Sequence, residues 1–224
     1  MVWLDKDIWF PDPYTAPPDF PLAFGGDLSP ERLLFAYSLG IFPWYSEGEP
    51  IMWWSPDPRM VLFPNDLKIS RSLKKILKNK NFKVSFDRDF ETVIKMCASI
   101  KRKGQEGTWI TPDMIEAYTH LHRLGYAHSV EVYLDGKLVG GLYGVSIGRT
   151  FFGESMFHTV SNASKVAFVH LVERLKRWDF DIIDCQQSTP HMARFGAVDI
   201  SRKKFLDILR YSVEKPSIVG NWNK

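Results

Sequence analysis

The sequence predicts an α+β fold in two parts, a small N-terminal domain over residues 1–64 and a larger domain over 65–224. Three observations carry this reading. Eleven of the fourteen prolines and fourteen of the 32 aromatic residues precede residue 65. Proline removes a ladder donor and fixes φ, so this stretch is predicted to be loop-rich and held by aromatic packing. From residue 66 the apolar spacing turns regular, switching between helical and strand periods. Past the midpoint the order becomes strand, strand, strand, helix, strand, which describes a meander joined to a strand returned by a crossover helix.

One helix stands out in the first part. Ser29 is placed as N-cap, Pro30 opens the first turn, Leu33, Leu34 and Tyr37 share a face, and Gly40 stops it. Leu67 to Lys80 reads as a helix capped by Ser70. Phe82 to Phe86 alternates as a strand, and Asp89 to Ile100 returns to helical spacing through Phe90, Val93, Ile94 and Cys97. Thr111-Pro112 opens a helix carrying Ile115, Tyr118 and Leu121, with Gly125 placed to end it. Ser129 to Leu134, the turn pair Asp135-Gly136 and Lys137 to Val145 make a hairpin. Gly148-Arg149 then turns the chain into a strand from Thr150 to Phe157. A helix from Ser164 to Trp178, a strand from Phe180 to Gln186, a short helix near His191 and a last helix after Ser201 complete the order. It resembles the acetyltransferase-like superfamily, so the larger domain is expected to be GNAT-like.

Composition narrows the class. Hydrophobic residues make up 45% and charged residues 25%, the balance of a globular protein. No apolar run approaches the ~20 residues a membrane helix needs. The start, Met1-Val-Trp-Leu-Asp5, lacks the basic and apolar regions of a signal peptide. Cys97 and Cys185 offer neither a disulfide framework nor a CxxC metal half-site. A cytoplasmic monomer is the expectation. The net charge of +3 is unevenly spread: residues 1–65 carry −6 and residues 66–105 carry +8. Such a block suits a polyanionic partner, with an ordinary solvated surface as the alternative.

Arg71, Lys74, Lys75 and Lys78 fall at i, i+3, i+4 and i+7, so all four share one helix face, with Leu73, Ile76 and Leu77 opposite. Clustered cations repel unless solvent or a polyanion screens them, so this face is either a lysine-rich surface or a set of phosphate contacts. Trp53 and Trp54 read as core. Trp44, in Gly40-Ile-Phe-Pro-Trp44, and Trp109 lie near loop ends, where an aromatic either packs or stacks on a base. Asp184 and Gln186 are two apart in an extended strand and point to one face. Glu154 interrupts an apolar strand, and a carboxylate there is costly unless it meets an ion-pair partner, water or an arriving cation. There is no GxxxxGK(S/T) phosphate loop, no HExxH and no GxSxG elbow. His120 and His122 are two apart on a helix and face apart, so no metal site is predicted.

Taken together these motifs resemble the leucyl/phenylalanyl-tRNA–protein transferase family. The match runs in family order from residue 20 to 210: Phe24-Gly-Gly-Asp-Leu-Ser-Pro30, Gly40-Ile-Phe-Pro-Trp44, Trp53-Trp-Ser-Pro-Asp-Pro-Arg59, Ile69-Ser-Arg71, Gly107-Thr-Trp-Ile-Thr111, His128-Ser-Val-Glu131, Val139-Gly-Gly-Leu-Tyr-Gly144, Gly153-Glu-Ser-Met-Phe157, Asn162-Ala-Ser-Lys165 and Ile183-Asp-Cys-Gln186. The resemblance implies an aminoacyltransferase. It would carry leucine or phenylalanine, and in some cases methionine, from tRNA to proteins or peptides beginning with Arg or Lys, marking them for degradation. It implies no cofactor and no membrane. Residue by residue, it assigns Asp184 and Gln186 to catalysis and Glu154, Trp44, Trp109, Leu142 and Phe151 to substrate binding. The helix bearing Arg71, Lys74, Lys75 and Lys78 would bind tRNA. Two departures stand out: Leu142 occupies a position where the family suggests methionine, and Gln187-Ser-Thr-Pro-His191 replaces a pattern of Asn and Asp.

An aminoacyl ester is already activated, so amide formation needs a proton acceptor and correct placement rather than ATP. Asp184 is the chemically credible acceptor, whereas Gln186 is too weakly basic and is expected to orient the amine. Two other classes compete. An acetyl-CoA acetyltransferase needs a glycine-bearing turn at a helix N-terminus, and no glycine lies between Gly153 and Gly196. A non-catalytic RNA-binding module would leave Asp184, Gln186 and Glu154 without a task.

Overall fold

The computed structural model describes residues 1–79, 81–100 and 108–223. Lys80 and Gly107, which fall in the expected basic helix and the Trp109 motif, lie outside the described residues.

The N-terminal stretch forms a small four-stranded sheet from β1 (Trp3–Leu4), β2 (Ala23–Gly25), β3 (Phe42–Pro43) and β4 (Met52–Trp54), in the order β1-β2-β4-β3. Helix α1 (Pro30–Ser38) begins where the sequence places it, with Ser29 Oγ accepting the Arg32 N–H at 3.4 Å. Gly40 follows at φ +70, and a Cβ there would sit 2.7 Å from Leu206 and 2.8 Å from Phe205. Only glycine combines that conformation with so close an approach.

Seven strands build the main sheet: β5 (Arg59–Leu62), β6 (Lys83–Phe86), β7 (Ala127–Leu134), β8 (Lys137–Ile147), β9 (Thr150–His158), β10 (Ile182–Gln186) and β11 (Val198–Ile200). Their order is β11-β5-β10-β9-β8-β7-β6. Strands β7 to β9 form the predicted antiparallel meander, β6 adds to its edge antiparallel to β7, and β10 returns parallel to β9 after helix α5 (Ala163–Arg177). Strand β5 pairs antiparallel with β10, so part of the proline-rich segment enters the main sheet.

Helices cover both faces. On one side α1, α3 (Phe90–Ser99), α4 (Pro112–Arg123) and α7 (Arg202–Val213) share a core with Tyr143 and Phe152; on the other, α2 (Arg71–Lys78) and α5 pack over Leu142 and Phe151. A short helix α6 (Pro190–Ala193) follows β10. Adjacent residues facing opposite layers is the strand alternation expected of a sheet covered on both faces.

Several boundaries differ from expectation, three of them at element starts that matter here. Helix α2 starts at Arg71 rather than Leu67, because Ser70 caps it by accepting the Leu73 N–H and Pro64–Asp66 forms a separate 3-10 turn. The hairpin begins at Ala127. Strand β10 begins at Ile182 because the Phe180 N–H closes the end of α5 on the Leu175 carbonyl.

Candidate active site

The site opens where β9 and β10 part. They pair from Thr150 to Phe152 against Ile182 to Asp184, and no further. Each strand then carries an extra residue relative to its other neighbour: Glu154 falls between Gly153 and Ser155 against β8, and Cys185 falls between Asp184 and Gln186 against β5. Bulges add twist and redirect side chains, so two bulges side by side spread the strands. Gln186 lies at φ +62, a left-handed conformation that a residue of this type seldom adopts.

Two cavities flank the split. One of about 440 Å³ is largely apolar and includes Leu142, Phe151, Met156, Phe168, Ile183 and Met192 in its lining. The other, about 360 Å³, is lined by Phe42, Trp44, Trp109 and Gln186 among others. Glu154, Cys185 and Thr189 border both and so form the wall between them. The structure therefore gathers Asp184, Gln186, Glu154, Trp44, Trp109, Leu142 and Phe151 around one split. Arg71, Lys74, Lys75 and Lys78 line neither cavity and stand exposed on α2, with Leu73 buried beneath them. Trp53 is fully buried, as expected of core, and Trp54 is partly so.

The two carboxylates have different surroundings. Asp184 is wholly buried and accepts two bonds from Arg59, Nε to Oδ1 at 2.8 Å and Nη2 to Oδ2 at 2.6 Å. Its Oδ1 also accepts the backbone N–H of Gln186 at 2.8 Å. The acceptor expected to take a proton is thus already engaged on both oxygens. Glu154 is partly exposed and borders both cavities. Its Oε1 accepts from the Tyr37 hydroxyl at 2.6 Å and from Gln186 Nε2 at 2.9 Å, while the shielded Oε2 has no partner among the described residues.

Burial pushes the Glu154 carboxyl up to about 7; the Tyr37 hydrogen bond opposes that rise and the nearby Asp184 charge adds to it. The hydroxyls of Tyr37 and Tyr118 are hydrogen-bonded to each other, and hydrogen bonds from both favour the ionised form of Glu154. Burial also holds both phenols well above their usual range, so they remain donors. The Cys185 thiol is raised by burial and by the Asp184 charge, which leaves it a poor nucleophile.

Several of these residues carry no separate signal in the sequence. Tyr37 and Tyr118 fall on the apolar faces of their helices and read as core. Arg59 stands in the sequence only as the end of the Trp53–Arg59 motif. Met156 lies in register with Leu142 across β8 and β9, so a methionine does reach the apolar cavity, from the neighbouring strand. Strand pairing would have found it, had the bulge at Glu154 been visible. His191 also lines that cavity; burial first, then the charges of Lys165 and Arg194, lowers its pKa and favours the neutral ring.

Comparison with known proteins places this geometry in context. The family model described as leucyl/phenylalanyl-tRNA protein transferase matches residues 61–210, and that of the family's N-terminal domain matches residues 26–57. The leucyl/phenylalanyl-tRNA–protein transferase of Nitrosospira multiformis is 58% identical over 212 residues, 94% of this chain and 91% of that one. The proteins of the same name from Anaeromyxobacter sp. and Legionella pneumophila (strain Paris) are 56% and 54% identical, covering 98% of this chain in each case and 94% and 98% of their own. Among solved structures, L-PGS from Bacillus licheniformis aligns with a TM-score of 0.45 at 8% identity, over 87% of this chain and 73% of that one. An aminoglycoside acetyltransferase from a soil metagenome aligns at 0.40 and 13% identity, over 53% and 86%.

Proposed function

The chain belongs to the leucyl/phenylalanyl-tRNA–protein transferase family, and from that premise we propose how its residues pass an amino acid from tRNA to a protein. It is an aminoacyltransferase whose donor is aminoacyl-tRNA and whose acceptor is a protein. We read the donor as leucyl- or phenylalanyl-tRNA and the acceptor as a polypeptide beginning with Arg or Lys. The product then carries a new apolar N-terminal residue that marks it for degradation. No described helix is long and apolar enough to cross a membrane, and we place the reaction in the cytoplasm. The meander with its returned strand supports a GNAT-like catalytic unit over residues 65–224, completed by β5 from the first 64 residues and served by the rest of them.

One observation carries the mechanism: an apolar cavity and an aromatic cavity share a wall that contains Glu154. A leucyl or phenylalanyl side chain seated against Leu142, Phe151 and Met156, with the terminal adenosine against Trp44 and Trp109, lays the ester across that wall. The acceptor's α-amine attacks the ester carbonyl carbon. A C–N bond forms, the C–O bond to the ribose breaks, and the amine's proton must leave while the ribose oxygen gains one. Gln186 turns Nε2 to Glu154, which leaves Oε1 to accept a hydrogen bond from the amine. Glu154, on the wall between the two cavities, takes the proton of that ammonium, with a carboxyl already tuned near neutrality. Asp184 acts through the Gln186 backbone. Holding both reactants in place supplies much of the rate, since such placement is worth ~7–11 kcal/mol.

Incubation with radiolabelled leucyl-tRNA and an Arg-initiated peptide tests the reading. Label should move to the peptide's α-amine without ATP, and failure to transfer from any aminoacyl-tRNA overturns it.

A further inference from the structure

We infer that Arg59 is the positioning residue of this site: its fork on Asp184 fixes the backbone of Gln186 and thereby aims that residue's amide at the reacting amine. The inference rests on the role given to Gln186 above. Arg59 lies on β5, whose register with β10 slips by one residue at Cys185, so Gln186 would be poorly held by the ladder alone. Its left-handed backbone is of the strained kind that persists only where the surroundings over-determine it. What holds it is the bond from Gln186 N–H to Asp184 Oδ1, and that carboxylate is fixed in turn by two parallel bonds from Arg59, one to each oxygen.

The guanidinium is itself locked. It is buried, with its carbon 4.9 Å from the Phe42 ring centroid and 4.5 Å from that of Phe205. A planar fork between two rings sets the plane of the carboxylate, which a lysine ammonium cannot do. Nη1 is buried with no partner among the described residues, a cost that a simple counter-charge would not incur. Buried ion pairs are seldom kept for stability alone, since apolar replacements often do as well. Geometry is the use that remains.

The test measures single-turnover transfer, donor and acceptor KM, and the thermal midpoint for Arg59→Lys, for the neutral pair Arg59→Met with Asp184→Asn, and for Gln186→Ala. Arg59→Lys should lower the rate at saturating substrate on the order of 10- to 100-fold, because misplacement by an ångström costs that much, with both KM values within about twofold. The neutral pair removes the unpaired charge, so its midpoint should recover while its rate stays low; it also decides the matter if Arg59→Lys fails to fold. A wild-type rate in either folded Arg59 variant, beside a crippled Gln186→Ala, overturns this inference alone. A silent Gln186→Ala overturns the reading of the site along with it.

Discussion

Gln186 donates its side-chain N–H to Glu154 Oε1 at 2.9 Å, and the direction of that bond decides what Gln186 offers a substrate. An ionised carboxylate only accepts, so the amide must present Nε2 to it and keep Oε1 for the amine. A protonated Glu154 can donate instead, which allows the amide to reverse. Because Glu154 titrates at about 7, orientation and basicity change together near neutral pH.

The rate at saturating substrate should therefore rise with pH through about 7 as Glu154 ionises. Tyr37→Phe removes a hydrogen bond that favours the carboxylate, so its inflection should move to higher pH. Asp184→Asn removes a like charge, so its inflection should move lower. Single-turnover profiles on pre-bound leucyl-tRNA read both shifts, and opposite signs would remove Glu154 as the titrating group.

Stability follows the same linkage. A carboxyl raised on folding contributes stability that is complete below its unfolded value and is lost as pH rises through the folded one. Glu154→Gln should gain in thermal midpoint over wild type on going from pH 5 to pH 8. Melts at the two values suffice, and a difference that does not change with pH contradicts the raised carboxyl.

Glu154→Gln should also slow transfer on the order of 10²–10⁴-fold, the usual loss on removing a general base. Acceptor KM should rise strongly while tRNA affinity stays nearly unchanged. If instead the donor KM rises and the acceptor's does not, Glu154 serves the aminoacyl end.

Replacing Arg71, Lys75 and Lys78 by Ala should weaken tRNA binding alike for different tRNA species and flatten its salt dependence. These side chains are exposed and lie outside both cavities, so the transfer rate from saturating tRNA should change little. A triple mutant that binds as wild type across a salt titration would rule out this face.

Leu142→Phe should fill part of the apolar cavity and lower kcat/KM for phenylalanyl-tRNA more than for leucyl-tRNA. Small volume changes in such pockets are worth roughly 10- to 200-fold in discrimination. An unchanged ratio would place the donor side chain elsewhere.

What the sequence determined by itself was local. Helix caps at Ser29 and Ser70 accept the bonds their positions suggest, because a cap acts over three residues. The Asp135-Gly136 hairpin and the basic and apolar faces of α2 follow from backbone periodicity in the same way. Even Asp184, Gln186 and Glu154 were legible as polar residues in apolar strands. Their partners were not. Arg59 stands 125 residues from Asp184, and Tyr37 stands 117 from Glu154. Contacts at that distance leave no period in the chain. The bulges at Glu154 and Cys185, which divide the two cavities, depend on how neighbouring strands register. Only the assembled sheet decided which carboxylate was clamped and which was left to meet a substrate. A buried charge settles where a fork can reach it, and that position exists only once the strands have paired.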